Sequence, residues 1–103
     1  MSKITIHKTT LNDANLLEVQ VGTNCPQGGD AGHGGRTVLR LIDRGGTSMQ
    51  CRVNDGSFVD ASKIEIVLRG DSENETFTQA LDFALNVLHS TDTLTVTAEE
   101  EID

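Results

Sequence analysis

The residues best suited to chemistry lie in one stretch, Gly28-Gly29-Asp30-Ala31-Gly32-His33-Gly34-Gly35-Arg36-Thr37. Five of the chain's ten glycines fall within it. Glycine is costly to order but lets backbone N–H groups come close to a bound group. Asp30, His33 and Arg36, flanked by Asn24, Gln27 and Thr37, add amide donors, an imidazole and a guanidinium fork. That is the equipment for holding a phosphate or a carboxylate. The expectation is a small anion at Gly28, Gly29, Asp30, Gly32, His33, Gly34, Gly35, Arg36 and Thr37, with Arg40 beside them. The competing reading is a plain loop in which Asp30 only caps a turn.

Other chemistries fit less well. A Walker loop needs Gly-Lys-Ser/Thr opening a helix, and a dinucleotide fingerprint likewise leads into a helix, whereas a strand follows here. Zinc sites usually carry close Cys or His pairs. Cys25, Asp30, His33 and Cys51 lack that spacing, so no metal and no cofactor is expected. Cys51 reads as a core thiol. His7, His33 and His89 stand in no recognisable nucleophile motif. No catalytic residue is assigned, and a small enzyme using Asp30 and His33 as acid and base is the lesser alternative.

Four arginines bear on the same question. Arg36 and Arg40 share a strand face with Val38 and Ile42. If the following strand folds back through Arg44-Gly45-Gly46, Arg36, Arg40, Arg44 and Arg52 can converge on an anion such as a nucleotide. The opposing reading pairs them with Glu18, Asp43 or Glu65 across neighbouring strands.

The charge is uneven. Sixteen acids against eight Lys and Arg give −8 over 103 residues, but residues 1–52 carry +2 and residues 53–103 carry −10. The bulk charge and the absence of Trp and Tyr exclude a long nucleic-acid partner, which asks for basic and stacking side chains. A small anion at the arginine-bearing half is compatible with it. No run reaches the roughly 18–20 apolar residues of a membrane span, and MSKITIHKTT does not read as a signal peptide. A cytoplasmic protein without membrane contact is expected. Two cysteines are too few for a disulfide scaffold.

Alternation predicts strands over Lys3–Thr9, with Ile4 and Ile6 on one face and Lys3, Thr5 and His7 on the other, and Leu16–Val21, with Leu17, Val19 and Val21 inward. Further strands are read at Arg36–Asp43, Met49–Val53, Ile64–Leu68 and Thr93–Thr97. Asn54-Asp55-Gly56 supplies a tight reversal. Ser72 with Glu75 has the form of a capping box. Phe77, Ala80, Leu81, Ala84, Leu85 and Leu88 then recur at helical spacing, a stripe able to lie on a sheet. The predicted fold is α+β: a mostly antiparallel sheet of five to six strands, in order β-β-β-β-β-α-β, with one helix packed on one face. One domain over residues 1–98 and an acidic tail over 99–103 are expected. Leftover apolar positions and open strand edges point to a homo-oligomer.

The Gly28–Thr37 stretch, followed by a strand and by Gly70-Asp71 before an acidic helix, resembles a pattern in small uncharacterised proteins of bacteria and their prophages. The resemblance spans about residues 19–88 and implies an accessory, anti-defence role exerted by binding: sequestering a nucleotide signal or inhibiting a host protein. The expected function is a non-enzymatic binder of a small anionic ligand. The alternative is an acidic interaction module in which Glu73, Glu75 and Asp82 meet a basic or nucleic-acid-binding host protein.

Overall fold

A computed structural model describes residues 3–89 and 98–102. The architecture is α+β: a four-stranded antiparallel sheet, a small two-stranded sheet and one helix. β1 (Ile6–Leu11), β2 (Leu16–Thr23), β3 (Arg36–Gly45) and β6 (Lys63–Arg69) form the main sheet in the order β1-β2-β3-β6. β4 (Gln50–Cys51) and β5 (Val59–Asp60) pair with each other, and α1 spans Asp71–His89.

Register separates two faces. Val19 opposes Leu41, which opposes Ile64, and Val21 opposes Leu39, which opposes Ile66. With Leu17 and Leu68 these rows make one face apolar. The other carries rows such as Lys8, Gln20, Arg40 and Glu65. Leu17, Val19 and Val21 share one face, as expected, with Leu17 and Val19 half-buried and Val21 exposed. In β1 Ile6 and His7 take opposite faces, as expected: His7, paired with Val21, shares the apolar face, and Ile6 lies opposite Gly22 on the other. The pairing to β2 fixes the parity of β1, because a strand's side chains alternate about whatever register its partner imposes.

The expected hairpin of strands 36–43 and 49–53 does not form. Asp43 accepts the N–H groups of Gly45 (2.9 Å) and Thr47 (3.2 Å), and Gly46 has φ +82°, so the chain turns away from the sheet. The fourth strand shortens to two residues. It reverses through Asn54 (φ 54°) and Asp55 (φ 59°), with the Gly56 N–H on the Val53 carbonyl at 3.0 Å. Positive φ at both central residues is the type I′ geometry that Asn and Asp tolerate. β6 thereby pairs with β3 rather than with β4, and the order is not β-β-β-β-β-α-β. The strand expected at Thr93–Thr97 lies outside the described residues.

The helix starts two residues early. The Asn74 N–H reaches the Gly70 carbonyl at 3.2 Å, so Gly70, at φ +119°, occupies the cap position and Ser72 lies inside the first turn. The expected capping box is therefore not used. Nor is α1 laid along the sheet. Asp71, Asn74 and Phe77 are half-buried, whereas every residue from Thr78 to His89 is exposed. At 19 residues the helix is about 28 Å long. It meets the apolar face at one end of the sheet and then splays away. Among the described residues Val38, at 3% exposure, is the one buried large apolar side chain.

Candidate functional site

The glycine-rich loop is ordered around an anion that belongs to the chain. Asp71 lies in the first turn of α1. Its carboxylate accepts the backbone N–H groups of Gln27 (3.0 Å to each oxygen), Gly28 (2.8 Å) and Gly29 (3.0 Å). The positive φ of Gly28 (97°) and Gly29 (144°) turns these successive donors toward one point, a cradle for negative charge. The three backbone bonds, with the Cys25 thiol acting the same way, lower the Asp71 carboxyl to about 2. The Asp71 N–H donates to the Gly29 carbonyl (3.0 Å), and the Gly70 N–H to that of Gly35 (2.9 Å). Loop and helix terminus are thus bonded in both directions.

The rest of the loop is equally committed. Asp30 caps the single 3₁₀ turn Ala31–His33 by accepting the Gly32 N–H at 2.9 Å, as the plainer reading had it. Gly34 ends that turn in the left-handed region at φ +82°. Gly35 is buried where a side chain has no room: a Cβ there would stand 2.8 Å from Asp71 Oδ1 and 3.1 Å from Cys25 Sγ. Asn24 spans the loop, accepting the Arg36 N–H (2.7 Å) and donating to the Gly34 carbonyl (3.0 Å). The Arg36 guanidinium folds back onto the carbonyls of Ala31 (3.0 Å) and Gly35 (2.7 Å).

The arginines do not converge. Arg40 pairs with Glu65 and donates to Gln20 Oε1 at 3.1 Å. Arg44 pairs with Glu18 at 3.0 Å, and Arg52 lies over the Phe58 ring, 4.4 Å from its centroid. Hydrogen bonds from Gln20 and then Arg44 lower the Glu18 carboxyl, and that from Arg40 lowers Glu65. The cross-strand pairing read as the opposing possibility is the one adopted. At the anion site expected at Gly28, Gly29, Arg36 and Arg40, the Gly28 and Gly29 N–H groups, Arg36 Nη1 and Arg40 Nε and Nη1 face acceptors of the protein itself. His33 remains exposed, 3.9 Å from Asp30. Glu73, Glu75 and Asp82 are all exposed on α1. Among the described residues no group of three His, Cys, Asp or Glu side chains is placed to hold a metal ion.

What the clamp builds is a second feature. Where α1 meets the sheet, a cavity of about 300 Å³ is lined by Thr5, His7, Val21, Gly22, Thr23, Thr37, Asn74, Phe77, Thr78 and Leu81. Asn74 Nδ2 donates to the hydroxyls of Thr37 (2.8 Å) and Thr23 (3.3 Å), and those hydroxyls lie 2.9 Å from each other. Val21, Phe77 and Leu81 supply apolar wall; the threonines, Asn74 and His7 supply polar groups. Thr37 is the predicted ligand residue that the structure brings to this cavity. His7, Thr23, Asn74 and Phe77 carried no sequence signal for it, because single Thr, Asn and His residues in strands and helices read as ordinary surface.

No family model, curated protein or solved structure matches the chain. The site therefore rests on its own geometry. Among the described residues no helix is long and apolar enough to cross a membrane.

Proposed function

We propose that the chain is a non-enzymatic binding protein that receives a small molecule of the nucleotide class in the cavity between α1 and the apolar sheet face. The observation that carries this reading is the convergence of Thr23, Thr37, Asn74 and His7 on a partly apolar space of about 300 Å³. Small-molecule sites have that size and that mixture of apolar wall and few polar groups. A heterocyclic ring suits Phe77 and Leu81, and the acceptors of a sugar or phosphate suit the His7 imidazole, while Thr23, Thr37 and Asn74, bonded to one another, hold the polar edge in place. Among the described residues the lining holds one imidazole and no carboxylate or thiol, which favours binding over catalysis. The glycine loop serves this site indirectly, by fixing the start of α1 and with it Asn74 and Phe77. The resemblance to small bacterial and prophage proteins makes sequestration of a nucleotide signal the corresponding biological role.

The test is thermal unfolding with a panel of nucleoside monophosphates, nucleoside triphosphates and nucleosides. A ligand at a hundred times its Kd adds about 2.7 kcal/mol, on the order of ten degrees in Tm for a chain this size. That shift should survive His33→Ala in the exposed loop and be lost in Thr37→Val/His7→Ala. No shift with any member of the panel, or one that the double variant leaves intact, overturns the proposal.

A further inference from the structure

Two apolar surfaces of this chain are left partly uncovered in the same molecule, and each has the shape the other lacks. The first is the outer part of α1. Leu81, Leu85 and Leu88 recur at helical spacing and are 43%, 52% and 80% exposed. The second is the apolar sheet face, where the splayed helix leaves Val21 and Ile66 each 40% exposed and Val19, Leu39, Leu41 and Ile64 only half-buried. A helix stripe wants a sheet or helix to lie on, and a half-apolar sheet wants a layer above it.

The areas point the same way. The chain exposes 8237 Å². A folded monomer of 11.1 kDa exposes about 5,700 Å². The surplus is roughly 2,500 Å² per chain, and so about 5,000 Å² over two chains, the upper end of the interfaces of obligate homodimers. The Cα radius of gyration agrees, 15.9 Å where about 13 Å is usual for a compact domain of this length.

We infer that a second copy of this chain covers these surfaces, the outer half of α1 from each protomer lying on the apolar sheet face of the other. A second copy is the occupant because one symmetric operation supplies a helix stripe to a half-covered sheet and a half-covered sheet to a helix stripe. An isologous contact satisfies both at once. A foreign partner would have to match two surfaces of different form. This inference stands on the partly uncovered apolar rows and does not depend on the ligand reading, although the same contact would close the outer side of the cavity at Leu81.

Native mass spectrometry and light scattering on the full chain at micromolar concentration test it. The expected mass is twice 11.1 kDa, falling to one chain in Leu85→Asp/Leu88→Glu. Both positions are exposed in the isolated protomer, so circular dichroism should retain the secondary structure. If the double variant does not fold, mixing the wild-type chain with a mass-tagged copy must still yield the mixed dimer, and its absence counts against the contact. A wild-type chain that is monomeric and cooperatively folded overturns the inference. So does a dimer indifferent to both substitutions, or a monomer that becomes compact only with a different protein.

Discussion

The Asp71 carboxylate accepts the Gly28 N–H at 2.8 Å, joining the first turn of the helix to a loop 43 residues earlier in the chain. With the N–H groups of Gln27 and Gly29 on the same carboxylate, the helix N-terminus and the loop become one structural unit. An acid near a helix N-terminus is ordinarily explained by the dipole. Here the charge is spent on the loop, and the helix start is held by the Gly70 carbonyl.

Asp71→Asn keeps the size of the side chain but removes the charge that three N–H groups share. Hydrogen bonds to a charged group are the stronger kind. Amide exchange at Gln27, Gly28 and Gly29 should quicken about tenfold or more, while that of β2 and β3 away from the loop stays near wild type. Hydrogen exchange read by NMR checks this, and unchanged protection at the three amides would falsify the clamp.

Acid should release the loop late. The Asp71 carboxyl stands at about 2 when folded against a usual value of 3.8, so the unfolded chain holds its proton more tightly. The stabilisation is whole above about pH 4 and fades as the pH falls toward 2. Glu18 and Glu65 are also lowered, from 4.5, and their contributions decline over the acid range in the same sense. An acid titration followed by chemical shifts should show Gly28 and Gly29 responding near pH 2. In Asp71→Asn that response disappears while the responses of Glu18 and Glu65 remain.

Gly35 and Gly28 separate two reasons for glycine. At Gly35 the obstacle is space, since a Cβ would press on Asp71 Oδ1 and Cys25 Sγ. Gly35→Ala should cost about 1–3 kcal/mol and displace the carboxylate from its cradle. At Gly28 nothing lies within 4 Å of the Cβ position, and the obstacle is φ +97°. Gly28→Ala should cost about 1 kcal/mol through backbone strain alone. Denaturant unfolding gives the two stabilities. Exchange at Gln27 should rise in the first variant more than in the second, and equal effects on both would contradict the steric account.

The parts of the fold legible in the sequence are those with a local cause. The alternation of Leu17, Val19 and Val21 marked β2 and its apolar face, because a strand's period of two is written in consecutive residues. The strands read at Arg36–Asp43 and Ile64–Leu68 fall within β3 and β6. Asn54 and Asp55 announced their turn because few other residues accept positive φ in succession. The helix stripe from Phe77 to Leu88, with the cap read at Ser72, identified α1 to within two residues at its start. In the candidate site, Thr37 was legible and its neighbours were not. His7, Thr23 and Asn74 meet only because β1, β2, β3 and the helix start are brought to one end of the sheet.

By itself, then, the sequence determined that this chain makes an antiparallel sheet and one amphipathic helix, and that its glycines gather in one amide-rich loop. It also determined that charge sits unevenly between the halves. Only the tertiary structure decided which anion the loop holds, which carboxylates Arg40 and Arg44 meet, and that β6 pairs with β3. It alone decided, too, that the helix leaves the sheet after Phe77. The reason is physical. Periodicity and turn preference act over a few residues and need no partner, whereas an amide cradle accepts any carboxylate that reaches it. Which one does so depends on where strands lying far apart in sequence deliver the start of a helix.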